Sequence, residues 1–233
     1  MASKNNLIRK IYREKDLEKI ERKIDMLGDN NKFDAVTFTN IRIVTSLIVF
    51  FVVLYIATIG YFFAPFFTII YYYLFEYVLI ERPYRQRIKK LDYEALYFFE
   101  ILTLTIESGR NLEHALEIAV FNVESELSNE FKKTLFEMKF GKTLIEALEN
   151  MKYRIPSETI NNIILNITQT SVFGNSIIKT LYTQIDFLRE KQILDVKGQI
   201  NKIPNKISII SVLFVVPLIL MLVLGPFLIN FLN

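Results

Sequence analysis

The chain has 233 residues, 52% hydrophobic and 23% charged, with 28 Lys and Arg against 25 Asp and Glu, one His and no Cys. A formal net charge of +3 is too small to mark a nucleic-acid binder, and the absence of cysteine excludes disulfides, thiolate chemistry and Cys-ligated metal. So many apolar residues beside so many charges require the two to be segregated along the chain.

Residues 5–27 read as an amphipathic helix ending at Gly28. Leu17, Ile20, Ile24 and Leu27 follow a 3-4-3 spacing, with Leu7 and Ile11 earlier, and the opposite face mixes both signs. Two readings stand: a solvated helix packed on its own protein, or a docking helix for the bilayer surface or a partner. No apolar stretch or cleavage site resembles a signal peptide here. Residues 29–32, Asp-Asn-Asn-Lys, form a loop.

Residues 43–80 contain one charge, Glu76, and residues 207–233 contain none. A helix needs about 20 apolar residues to cross a bilayer. The first stretch suits two spans, residues 41–59 and 62–80, with a tight turn near Gly60 and Pro65. The last suits one span, in which Pro217, Gly225 and Pro226 are tolerated. Tyr61, Phe62 and Phe63 fit an outer aromatic belt, and Tyr71, Tyr72, Tyr73 and Tyr77 the inner half of the second span. All Lys and Arg lie in residues 1–42 or 81–206, so the positive-inside rule places the N-terminus and the central region in the cytoplasm. The resulting division is 1–40, a cytoplasmic amphipathic segment; 41–81, a membrane hairpin; 82–206, a cytoplasmic helical domain; and 207–231, a last membrane helix. The expected fold class is an all-α integral membrane protein with three transmembrane helices and a cytoplasmic six-helix bundle, lodged in a bilayer whose anionic inner face attracts the surplus positive charge.

Within residues 84–200 the periodicity is helical throughout. The first helix, about 84–108, carries Leu91, Ala95, Leu96, Phe99, Leu102 and Ile106 on one stripe. Others follow to about 122, at 126–140, after the second glycine motif, after Pro156 with Ser157 as its cap, and finally to about 201, where Pro204 separates the domain from the last span. A pattern occurs three times: Gly109-Arg-Asn111-Leu112-Glu-His-Ala115-Leu116, Gly141-Lys-Thr143-Leu144-Ile-Glu-Ala147-Leu148 and Gly174-Asn-Ser176-Ile177-Ile-Lys-Thr180-Leu181. The glycines are 32 and 33 residues apart. Each glycine can close a helix in the left-handed conformation, and Asn111, Thr143 or Ser176 can cap the next helix two residues later. Thr143 with Glu146 has the form of a capping box. One copy would mark any helical corner; three in near-equal register mark a repeated architecture.

Catalytic readings fail on the residues. Gly141-Lys142-Thr143 resembles the end of a phosphate-binding loop, but position 136 is Phe where a glycine is required, and no strand precedes it. His114 is the only histidine and lies on the polar side of a helix. The acid pairs Glu113/Glu117 and Glu100/Glu107 fit solvated or partner-facing helix surfaces. No catalytic residue, metal site or cofactor site is expected. Glu76 has two readings, a contact for a charged group of a partner, or an acid that snorkels or pairs with Arg82 or Arg85.

With these motifs in place, the sequence resembles the type II secretion system F family, the inner-membrane platform proteins of type II secretion, type IV pili and Tad (tight adherence) pili. The resemblance covers roughly residues 84–231 and is strengthened by Lys202-Ile-Pro204-Asn-Lys206, Pro217 and Gly225-Pro226 at the exit into the last span. The family often carries an acid just before that exit, a place Asp195 takes a turn earlier. One copy of the domain, behind a membrane hairpin, is similar to the Tad type of platform, closer to TadC. The resemblance implies a bacterial inner-membrane subunit that passes the motion of a hexameric cytoplasmic ATPase to pilin subunits entering or leaving a filament. It also implies a second platform subunit or self-association, a lipid bilayer around the spans, and no nucleic acid. Asp195, Lys202, Pro204 and Lys206 join Glu76 as candidate partner or membrane contacts, with Lys202 and Lys206 also readable as positive-inside anchors. The alternative is a membrane-anchored adaptor or sensor unrelated to filaments.

Overall fold

A computed structural model describes residues 14–28, 34–56, 60–173 and 177–232. Among these residues the chain is helical with no strand, and it divides into two compact units, Met1–Ile185 and Asp186–Asn233.

In the first unit, α1 (Glu14–Asp25) is short and strongly polar, so packing rather than propensity holds it. Leu17, Ile20 and Ile24 are buried, and the last two join Ala35, Phe38, Ile80 and Phe75 in one cluster. Helices α2 (Ala35–Ile56) and α3 (Gly60–Glu76) follow as an antiparallel hairpin. Small residues lie at their contact: Ala64 is fully buried and Ser46 nearly so. Their outer faces expose Val44, Phe51, Tyr55, Phe62 and Phe66, as expected of surface that meets lipid.

The second apolar helix does not end before the helical region. A five-residue wide turn, Tyr77–Glu81, joins α3 directly to α4 (Arg82–Glu107). Pro83 supplies the reason. It has no N–H for the carbonyl four residues back, and its ring crowds that carbonyl, so the ladder widens just ahead of it. The Arg82 N–H accordingly reaches the Tyr77 carbonyl.

Helices α5 (Leu112–Asn122) and α6 (Glu126–Lys139) then pack on α4, α7 (Leu144–Arg154) packs against α6, and α8 (Glu158–Phe173) packs against both α7 and α4. The buried stripe of α4 is Leu91, Ala95, Phe98, Phe99, Leu102 and Ile106; Leu96, expected on it, is half-buried, and Phe98 takes the interior place. Phe98 stacks on Phe131 of α6 with ring centroids 4.4 Å apart and planes at 12°. Ile160, Ile163, Ile164 and Ile167 of α8 add the other side of the core. The start of α9 (Ile177–Ile200) is tied in by Leu181 and Ile185, both buried, and by the Tyr182 hydroxyl, which donates to Glu107 at 2.7 Å.

The second unit holds the distal part of α9 and α10 (Lys202–Leu232). The break between them falls at Asn201, whose N–H donates to the Lys197 carbonyl at 2.9 Å. Pro204, expected to separate domain from span, instead lies in the first turn of α10, where no backbone donor is needed. Three helical stretches, Ala35–Tyr55, Tyr61–Glu107 and Ile177–Leu224, are long and apolar enough to cross a membrane.

Candidate functional site

The glycine corners position everything around them. Gly109 and Gly141 have φ of +88° and +94°, the left-handed region, and nothing lies within 4 Å of the place a Cβ would take. Backbone conformation alone therefore calls for glycine there. Asn111 Oδ1 accepts from the His114 N–H at 2.9 Å and caps α5. Thr143 and Glu146 form the capping box: the Glu146 N–H donates to Thr143 Oγ1 at 3.2 Å, and the Thr143 N–H to Glu146 Oε2 at 2.9 Å. The Thr143 backbone bond holds the Glu146 carboxyl below its ordinary value. Lys142 turns to Glu137 at 2.7 Å, so the Gly-Lys-Thr run is occupied by a helix junction. Ser157 accepts from the Ile160 N–H at 3.2 Å and donates to Asp92. The third corner, Gly174 and Ser176, lies outside the described residues.

Between these corners lies a buried charge network that no local motif marks. Arg87, 6% exposed, sits one turn before Leu91 on the buried stripe of α4. Its Nε donates to Glu126 at 2.5 Å and its Nη2 to Glu130 at 3.2 Å. Its Nη1 donates to the Met26 carbonyl just past α1 and, at 3.0 Å, to the Arg154 carbonyl at the end of α7. One guanidinium thus closes the C-terminal ends of two helices, where the helix dipole favours a cation. Gly28, with φ of +91°, keeps that approach open: a Cβ there would lie 3.3 Å from Arg87 Cζ.

Arg154 extends the network. It donates to Glu130 at 3.1 Å, to Glu137 at 2.6 Å and to Thr134 Oγ1 at 3.3 Å. Lys90 pairs with Glu126 at 3.1 Å. Burial alone would raise the Glu137 carboxyl, but hydrogen bonds from Lys142, Asn150 and Arg154 outweigh it and bring it from 4.5 down to about 2. Burial is likewise the largest single influence on Glu126, and Arg87 and Lys90 together overcome it, leaving its pKa lowered. Carboxylates held in this way are poor bases; the cluster fastens α1, α4, α6 and α7 together. The sequence carried a trace of it. Arg87 and Glu130 are opposite charges on the apolar stripes of two helices, Glu130 lying between Leu127 and Phe131 and being 4% exposed.

A second polar pair holds the hairpin. Glu76 pairs with Arg42 of α2 at 2.5 Å, and Arg42 also donates to the Tyr72 hydroxyl at 2.5 Å with its guanidinium 4.0 Å from that ring's centroid. This corrects the expected partners, Arg82 and Arg85. They follow Glu76 along an unbroken helical path and leave its face, and Arg85 pairs with Glu81 at 2.7 Å. Arg42 was missed because α2 begins at Ala35, well before the uncharged run.

Of the other sequence candidates, Asp195 is exposed on α9, while Lys202 and Pro204 are exposed in the first turn of α10. Lys206 lies on the α10 backbone, its side chain outside the described set. His114 meets Glu117 at 3.1 Å on the surface of α5. Among the described residues no three His, Asp or Glu side chains gather as a metal site.

The family model for type II secretion system (T2SS), protein F matches residues 98–225, from the middle of α4 into α10 and over more than half of the chain. No curated protein and no solved structure matches significantly. Proteins of this family are inner-membrane platforms of secretion and pilus systems that work with secretion or pilus ATPases, and they are structural rather than enzymatic. With the corners, the apolar helices and that match over one continuous stretch, the chain belongs to the type II secretion system protein F family.

Proposed function

We propose that this chain is the platform subunit of a Tad-type pilus assembly machine, similar to TadC, and that it couples a hexameric cytoplasmic ATPase to pilins entering or leaving the filament. The observation that carries the reading is mechanical. One helical path runs from Gly60 to Glu107, from the apolar hairpin into the helical domain, with no loop between. Arg87 and its carboxylates fasten that path to α6 and α7 close to the hairpin. Displacement of the domain is then transmitted to the spans rather than absorbed by a flexible joint.

In this reading the N-terminus and residues 82–206 face the cytoplasm, where the ATPase is, and the last span ends outside, as the charge map favours. Glu76, Asp195, Lys202, Pro204 and Lys206 are proposed contacts to partners or lipid. The adaptor alternative used the N-terminal helix as a docking element, but Leu17, Ile20 and Ile24 are already buried.

Capture of the ATPase encoded by the same organism on the detergent-solubilised full chain tests the coupling. Retention of the ATPase, with loss of surface pilin in a deletion strain, is the expected outcome. No capture together with intact piliation overturns the reading.

A further inference from the structure

The wide turn at Tyr77–Glu81 interrupts the helical path that joins the spans to the domain. Regular helix bends only gently, and sharp bends concentrate where its ladder is broken in this way. The joint is therefore the place where the path yields unless something braces it.

Helix α1 lies across that place and holds both of its sides. Before the turn, Ile20 and Ile24 share a cluster with Phe38 of α2 and Phe75 of α3, and the same cluster takes in Ile80 of the turn itself. At the last residue of the turn, Lys23 pairs with Glu81 at 2.6 Å. Beyond it, Lys23 Nζ stands 5.8 Å from the centroid of the Tyr84 ring, and the Tyr84 hydroxyl donates to Met26 Sδ at 3.9 Å. Farther along α4, Arg87 donates to the Met26 carbonyl. These contacts run from Phe75 to Arg87, about 18 Å of helical path, and α1 with its 12 residues has that same length.

The brace is of a kind that can come away. So short and polar a helix does not persist by itself. Its outward face carries Glu18, Lys19, Arg22 and Asp25, so it is held only by Leu17, Ile20 and Ile24 and by the polar contacts at its end. The domain keeps its own ties without it. When the Met26 carbonyl leaves, Arg87 retains Glu126, Glu130 and the Arg154 carbonyl.

We propose that α1 is a detachable splint across this joint: docked, it makes the hairpin and the helical domain one stiff body, and released, it turns Tyr77–Glu81 into a hinge. The proposal rests on the platform reading in one respect, that motion passes along this path. Its test needs no ATPase, so a failed splint leaves ATPase capture untouched, and a failed capture leaves the stiffness measurement standing.

The chain has no cysteine, so spin labels attach only where cysteines are introduced. One pair straddles the joint, at the exposed positions Phe51 of α2 and Lys132 of α6, and a second lies within the domain, at Glu113 of α5 and Tyr153 of α7. Pulsed electron resonance then gives the distance distribution of each pair in the full chain held in lipid nanodiscs. Three forms of α1 are compared: native, Lys23→Ala and Lys23→Glu/Ile24→Asp. The native chain should give a narrow distribution for both pairs. Lys23→Glu/Ile24→Asp should widen the joint distribution about twofold or more, as a hinge does, and leave the domain distribution unchanged. Lys23→Ala, which keeps the apolar contacts, should widen the joint distribution by less. A joint distribution of the same width in all three chains overturns the proposal, because α1 then does not set the stiffness of the turn. So does a domain distribution that widens together with the joint, because α1 is then part of the domain's core and not a splint.

Discussion

Gly141 has open space around its absent side chain and a φ of +94°, so what it supplies is a backbone conformation rather than room. Gly141→Val should therefore cost about 1–3 kcal/mol, seen as a lower thermal midpoint of the detergent-solubilised chain. Gly141→Asn should cost less, because Asn tolerates the left-handed region. Equal midpoints for all three chains would refute the assignment. Glu137 shows what an embedded charge does. Its folded carboxyl is held at about 2, below the ordinary 4.5, so its stabilising contribution is complete above about pH 4.5 and fades as pH falls toward 2. Unfolding titrated across that window should show Glu137→Gln less stable than the native chain at pH 6 and close to it at the acid end. A gap that does not narrow on acidification would remove Glu137 from the network's charge balance.

At the scale of elements, the hairpin and α1 depend on contacts that their local sequences do not contain. Arg42 is almost fully buried among Phe38, Tyr72 and Glu76, and a lone charge there is costly in lipid. Glu76→Leu should reduce the folded yield from membranes by on the order of 2 kcal/mol in stability, because it leaves Arg42 uncompensated. Exchange of both charges, Arg42→Glu with Glu76→Arg, should recover part of that loss. Recovery no better than either single change would mean the pair does not hold the hairpin. The wide turn at Tyr77–Glu81 shows the opposite dependence: its cause is local, Pro83 two residues beyond it, which lacks the N–H that a regular turn would use.

At the scale of the whole molecule, the capture experiment tests the proposed coupling to the ATPase, which only the assembled chain can show. Local sequence determined the helices and most of their ends, but not the continuous join of the second span to α4 or the break at Asn201. Segregated apolar runs marked the three candidate spans, and Gly109-x-Asn111 and Gly141-x-Thr143 marked two corners, because caps and left-handed glycines act within a few residues of themselves. Tertiary structure decided the partners of charge. Arg87 reaches Met26, Glu126, Glu130 and Arg154, and Glu76 reaches Arg42 thirty-four residues away, pairings that only the packing of distant helices brings within hydrogen-bond range. Arg87 and Glu130 lie on the buried faces of α4 and α6, but a stripe gives direction and not partner. Two opposite charges stay buried only where folding brings each within reach of the other, since either one alone in that interior would be too costly to keep.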